Sequence, residues 1–167
     1  MLILGIDPGY AIIGYGVVKF ENYKFTPMEY GAVTTPSKTD FSRRLEMIYD
    51  GISSILDKYS IDALAIEKLF FNTNTTTAID VAQARGVILL AAKKHNVPLF
   101  EYTPLQVKQS VTGYGRAQKA QVMEMTRQML SLKSVPKPDD TADALALAIC
   151  HGYSASLTSK LSPKGML

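Results

Sequence analysis

Only one of the 167 residues is a cysteine, Cys150. No disulfide can therefore form within the chain, and a reducing compartment is the natural reading. Histidine is almost as scarce. His95 and His151 stand far apart, and neither has a partner at ligand spacing. That excludes a zinc-type site and leaves Ser-His-Asp or Cys-His nucleophiles unsupported, so each histidine is expected at a helix end or on the surface. No apolar run approaches the roughly 20 residues of a membrane span. The N-terminus lacks a basic segment ahead of its short apolar run, which argues against a signal peptide. There is no internal repeat and no low-complexity tract. Nor is there a large excess of one charge: 18 basic residues against 15 acidic give +3, which permits a polyanionic partner without demanding one. What is present, 47% hydrophobic and 20% charged residues, is ordinary globular composition at single-domain length. The expectation is a soluble, cytoplasmic protein with one domain over residues 1–156 and a short polar tail over 157–167.

Apolar runs and periodicities place the elements. Leu2 to Ile6 reads as a buried strand that stops on Asp7, with Pro8-Gly9 turning directly into a second strand, Ile12 to Phe20. Phe25 to Thr34 is a third strand, which Pro27 assigns to an edge or an irregular start. Leu45, Ile48, Tyr49, Ile52, Ile55 and Leu56 recur at helical spacing, predicting a helix over Phe41 to Tyr59. Ala63-Leu64-Ala65-Ile66 is a short strand that again ends on a carboxylate, Glu67. Thr77 with Asp80 has the form of a capping box for a helix reaching His95-Asn96, and Pro98-Leu99-Phe100 opens a fifth strand. Helices follow over Pro104 to Val111, Ala117 to Leu130 and Asp140 to Tyr153, with a flexible Gly113-Tyr114-Gly115-Arg116 after the first of them. Strands, then helices, with βαβ units between, predict an α/β domain built on a mixed sheet.

The carboxylates carry the chemistry. Acids in a first helical turn are ordinarily caps, and Glu67 alone could be a solvated strand end. Asp7 is harder to dismiss, because everything before it is apolar and a charge there must be paired or metal-bound. Asp140 and Asp143 share a face at spacing i, i+3, and Asp143 leads directly into the core-like run 144–149. Carboxylates clustered at low dielectric need cations to stay ionised. All-oxygen donors suit Mg²⁺ or Mn²⁺, and two such ions would stabilise both the attacking and leaving oxygens of a phosphodiester.

Gly5-Ile6-Asp7-Pro8-Gly9 with Gly14-Tyr15-Gly16, Ala65-Ile66-Glu67 with Phe70, Gln83-Ala84-Arg85-Gly86, Gln106-Val107-Lys108-Gln109 and Asp140-Thr141-Ala142-Asp143-Ala144-Leu145-Ala146 follow one another along nearly the whole chain. In that order they resemble the RuvC-type Holliday junction resolvases of bacteria. The resemblance implies a ribonuclease-H-like fold with a five-stranded mixed sheet flanked by helices. It implies a homodimer that nicks opposing strands of four-way junction DNA symmetrically in homologous recombination and DNA repair, alongside the RuvA and RuvB branch-migration proteins. Asp7, Glu67, Asp140 and Asp143 would be the catalytic, metal-binding tetrad, holding two Mg²⁺ ions with Mn²⁺ able to substitute. Lys108 and Lys119 match positions near the scissile backbone, and Phe70 matches one that stacks on an unpaired base. Arg116 and Lys93-Lys94 are basic candidates with no motif behind them, and Phe71 is read as packing. The helix beginning near Thr77 is the dimer candidate, its residues 87–90 being apolar all the way round. Two features depart from the pattern: Tyr10-Ala11 replaces a small polar and a basic residue, and Asp139 doubles the acid beside Asp140.

Three rivals share parts of this pattern. An ATP-binding domain of the sugar-kinase, actin and Hsp70 type would need a second Asp-x-Gly motif and a second domain, and neither is present. A ribonuclease-H-like enzyme acting on RNA is closer, but the aromatic Phe70 and the Asp140-x-x-Asp143 ending favour the junction enzyme. A non-catalytic binding module would tolerate loss of the acids, and all four are here.

Overall fold

The computed structural model describes residues 1–69 and 75–161, and of 75, 76 and 158–161 the backbone alone. The elements run β1 (Leu2–Asp7), β2 (Ile12–Glu21), β3 (Lys24–Thr34), α1 (Phe41–Lys58), β4 (Ala63–Glu67), α2 (Thr75–Lys94), β5 (Leu99–Tyr102), α3 (Pro104–Thr112), α4 (Lys119–Met129) and α5 (Asp139–Leu161). The five strands form one sheet in the order β3-β2-β1-β4-β5. β1, β2 and β3 pair antiparallel, whereas β4 joins β1, and β5 joins β4, in parallel. This is a ribonuclease-H-like mixed sheet flanked by helices.

Each face of the sheet has its own apolar core. Leu4, Ile6, Leu64 and Ile66 point to one side, where they meet Ile48 and Ile52 of α1 and Ala84 and Ile88 of α2. Ile3 and Ala65 point to the other, against Leu145 and Ile149 of α5, with Val111 of α3 and Val122 of α4 nearby. Both faces of β1 and β4 are covered, which explains why their sequences read as unbroken apolar runs rather than alternations. Pro27 lies on edge strand β3 opposite Val18, where the register slips between Val17 and Val18. The edge expected from this proline is confirmed.

Three local expectations are corrected. α2 begins at Thr75, so Thr77 lies inside the helix and does not cap it. A complete capping box sits instead at α3, where Thr103 and Gln106 exchange side-chain and backbone bonds of 3.2 and 2.8 Å ahead of Pro104. α5 does not end near Tyr153 but continues to Leu161. Tyr153 packs edge-on against Phe25 at 5.1 Å, and Ser154 Oγ donates back to the Cys150 carbonyl. A polar-looking stretch is thus anchored as helix. His151 is neither at a helix end nor on the surface: it is 3% exposed, and its Nδ1 lies 2.7 Å from the Tyr102 hydroxyl. Burial pushes its pKa down. His95, by contrast, does sit just past α2, with Nε2 3.0 Å from Asp57.

Candidate active site

Side chains alternate along a strand with period two. In β1, Ile3, Gly5 and Asp7 therefore share one face, and in β4, Ala63, Ala65 and Glu67 do the same. The parallel register pairs Ile6 with Ile66, which brings Asp7 and Glu67 to the same edge of two adjacent strands. Neighbouring strands lie about 4.8 Å apart, so both carboxyls open onto the side covered by α5. This is the carboxyl end of the parallel strands, where open α/β sheets place ligands.

Two glycines let α5 reach them. A Cβ on Gly5 would overlap the Ala144 carbonyl, and one on Gly14 would overlap the Asp140 carbonyl. Gly14 is also the cross-strand partner of Asp7. The first turn of α5 is thus pressed onto bare backbone directly beside Asp7, which sets Asp140 and Asp143 around it. Thr141 fixes the same turn by donating to the Gly31 carbonyl at 2.9 Å.

The charges in this corner conflict. Burial, then the neighbouring Glu67, Asp143 and Asp140 in that order, push the Asp7 carboxyl up to about 8. Burial and Asp143 also raise Glu67. Asp143 is raised by burial too, partly offset by Lys119, whose Nζ lies 3.0 Å from it. Asp139 behaves differently. It pairs with Lys137 at 2.9 Å and with Lys119 at 3.7 Å, and these cations hold it below the usual carboxylate range. Asp140 acts on both Asp7 and Asp143, whereas Asp139 acts on Asp143 and shares Lys119 with it. Lys108 and Lys119 line a cleft of about 260 Å³ together with Glu67 and Asp143.

The donor set suits a hard divalent cation: four carboxylates, no nitrogen or sulfur, and a local excess of negative charge that protonation of Asp7 otherwise relieves. Among the described residues, no three acid, histidine or cysteine side chains stand close enough to hold an ion as they are placed. The Lys119 ammonium supplies a positive charge 3.0 Å from Asp143.

A sequence profile described as Crossover junction endodeoxyribonuclease RuvC matches residues 3–151. The chain belongs to the RuvC family. The RuvC of Clostridioides difficile strain 630 is 59% identical over 165 residues, spanning 99% of this chain and 98% of that protein. That of Ruminiclostridium cellulolyticum is 56% identical over 154 residues, covering 92% and 93%. Among solved structures, Thermus thermophilus RuvC superposes with a TM-score of 0.88 at 35% identity, over 95% of this chain and 97% of that one. T. thermophilus RuvC in complex with its Holliday junction substrate gives 0.87 at 34%, over 94% and 96%.

Of the residues singled out in the sequence, the structure gathers Asp7, Glu67, Asp140, Asp143, Lys108 and Lys119 at one end of the sheet. Arg116 is exposed in the turn between α3 and α4. Phe70 and Phe71 lie outside the described residues. Lys93 and Lys94 end α2, about 30 Å of helix that returns the chain to the amino-terminal end of the parallel strands, away from the carboxylates. Of the apolar residues 87–90, Ile88 is enclosed within the chain and Leu90 is 54% exposed, as is Ile79 nearer the start of α2 at 65%. Sequence reasoning missed Arg85, whose Nε donates to the Glu67 carbonyl at 3.5 Å and whose guanidinium pairs with Glu101 of β5. Its place in the RuvC-like Gln-Ala-Arg-Gly segment was the only signal.

Proposed function

We propose that the chain is a structure-selective endodeoxyribonuclease that resolves four-way DNA junctions by paired symmetric nicks, in recombination and repair. The observation that carries this reading is the convergence of Asp7, Glu67, Asp140 and Asp143 beside Lys108 and Lys119, in a chain of the crossover junction endodeoxyribonuclease family. Membership also supports a cytoplasmic setting and cooperation with RuvA and RuvB.

Asp7, Glu67, Asp140 and Asp143 would hold Mg²⁺, or Mn²⁺ in its place, two ions in all. The bound cations would supply the positive charge that activates a water and neutralises the leaving 3′ oxygen. Lys119 and Lys108 draw the phosphate backbone into the cleft. Asp7 and Glu67, fixed at strand ends, give that charge an unyielding position, and Arg85 holds the backbone at Glu67. Attack by water on phosphorus breaks the bond to the 3′ oxygen and leaves a 5′ phosphate beside a 3′ hydroxyl, ends that a ligase can rejoin.

The symmetric product calls for two copies. α2 offers a surface: Ile79, Gln83, Gly86 and Leu90 recur at helical spacing on its exposed side. A two-fold pairing of this helix with its counterpart would bury them and point two clefts at one junction. The deciding experiment incubates purified protein with a synthetic four-way junction and Mg²⁺. Ligatable nicks in two opposing strands are expected. An intact junction alongside hydrolysed ATP or degraded single-stranded RNA would overturn the reading.

A further inference from the structure

The turn between α3 and α4 is flanked by both lysines of the cleft. Lys108 lies four residues before the end of α3, about 6 Å along its axis, and Lys119 opens α4. Between them the backbone is firmly braced. Gly113 closes α3 in the left-handed conformation at φ 74°, with its N–H on the Gln109 carbonyl at 2.9 Å. The Thr112 hydroxyl accepts from the Tyr114 N–H at 3.2 Å and lies 3.0 Å from the Tyr114 carbonyl and 2.8 Å from the Lys108 carbonyl. The Ala117 N–H reaches the Tyr114 carbonyl as well, at 3.1 Å. The flexible segment expected from the glycines is therefore a fixed turn.

What the turn presents is an aromatic ring. Tyr114 is 58% exposed. Among the described residues its ring has no aromatic neighbour and its hydroxyl no hydrogen-bond partner. One side of it borders a shallow hollow of about 470 Å³ walled by Ala117, Ala120 and Met125 with the polar Gln121 and Glu124, the latter carboxylate being neutralised by Arg127. Two residues on, Arg116 is exposed and has no ion pair among the described residues. An apolar surface held out into water on a rigid backbone, beside an uncommitted cation and a cleft with two lysines, matches the chemistry of a nucleic-acid strand, whose bases and phosphates need a stacking face and a cation in turn. A tyrosine ring also loses little conformational freedom on contact, having two side-chain torsions.

We infer that Tyr114 is a DNA-contacting residue of this chain that lays its ring against the nucleotide flanking the scissile phosphate, with Arg116 on the next phosphate, and so helps set which sequences are cut. The inference rests on the reading of the cleft as the junction-cutting site. It concerns the arm held along the cleft, a different part of the substrate from the unpaired base that the resemblance gives to Phe70.

The chain contains no tryptophan, so Tyr114→Trp places a single reporter at the site. The full-length Asp7→Asn, Tyr114→Trp protein is titrated with a four-way junction, and binding is followed independently by gel retardation. Tryptophan emission is expected to be quenched by base stacking and to saturate together with the retarded band. In the Asp7→Asn, Tyr23→Trp control, whose reporter sits in the β2–β3 turn at the end of the sheet away from Asp7, emission should stay level. In the active protein, Tyr114→Ala is expected to cut sub-saturating junction about tenfold more slowly. The size of that defect should change with the base pair beside the cut, and Tyr114→Phe should restore the wild-type rate and preference. Unchanged emission at concentrations where gel retardation shows the protein saturated with junction, or a Tyr114→Ala enzyme with wild-type rates on every flanking sequence, would overturn the assignment. Absence of any retarded band would overturn the reading of the cleft itself, and this assignment with it.

Discussion

Asp7 concentrates the electrostatic cost of the site. Its carboxyl moves from 3.8 in a solvated chain to about 8 in the fold, mainly through burial and the charge on Glu67. Folding therefore takes up a proton across that window. The stability this gives is fully present below about pH 4 and is lost as pH rises towards 8. Metal-free protein should accordingly melt at a lower temperature at about pH 8 than at about pH 5. Asp7→Asn should flatten the fall and exceed wild type at the higher pH, while abolishing nicking and leaving junction binding intact. Scanning calorimetry checks this, and Mg²⁺ should raise the wild-type melting temperature more at about pH 8 than at about pH 6, since there is more charge to offset. A melting temperature indifferent to Mg²⁺ at both values would count against the metal reading. Asp7 was legible in the sequence because a buried strand rarely ends on an acid without a reason. Lys119 could be matched to a family position, but its seat on Asp143 could not be foreseen, since α4 and α5 meet only through folding. The same holds for Arg85, whose partners Glu67 and Glu101 belong to other elements.

Strands and helices show a different pattern of success. Apolar runs, turn residues and, in α1, a helical repeat located all ten described elements, because apolar side chains that must reach a core stand out from the polar turns between them. Ends were harder. The Thr77–Asp80 pair has the composition of a cap but lies inside α2, whereas Thr103-Pro104-Leu105-Gln106 closes a real one. The small residues of the Gly-Tyr-Gly segment gave no hint of why they are small. α5 crosses β1 and β2 so closely that Gly14 has room for no side chain. Gly14→Ala should push the first turn of α5 away from Asp7, costing about 1–3 kcal/mol of stability. Nicking should fall much further than that loss implies, because the pocket of acids opens. Denaturant melts and cleavage rates on the same preparation separate the two effects, and near-normal cleavage in a destabilised protein would show that the approach is not needed for chemistry. On α2, Leu90→Glu places a charge in the proposed pairing surface. It should convert a dimer to monomers in sedimentation and replace paired nicks with single uncoordinated ones, with the melting temperature of the monomer little changed because Leu90 is already 54% exposed.

Seen whole, the chain places its chemistry and its contacts on parts of unequal firmness. β1 is hydrogen-bonded along both edges and buried on both faces, with β4 beside it nearly as enclosed. Amides in such a position exchange with solvent only through the largest openings of the fold, while those of the flanking elements exchange through smaller ones. Deuterium uptake should therefore be slowest in residues 3–6 and 64–66 and faster in the first turns of α2 and α5. Uptake in β1 as fast as in edge strand β3 would contradict this. The consequence is that the acid cluster is aligned by two independent devices. Asp7 and Glu67 take their positions from strand register, whereas Asp140 and Asp143 take theirs from a helix turn seated on Gly14 and tied to Gly31 through Thr141. A change that loosens either device misplaces half of the acids while leaving the other half where it was.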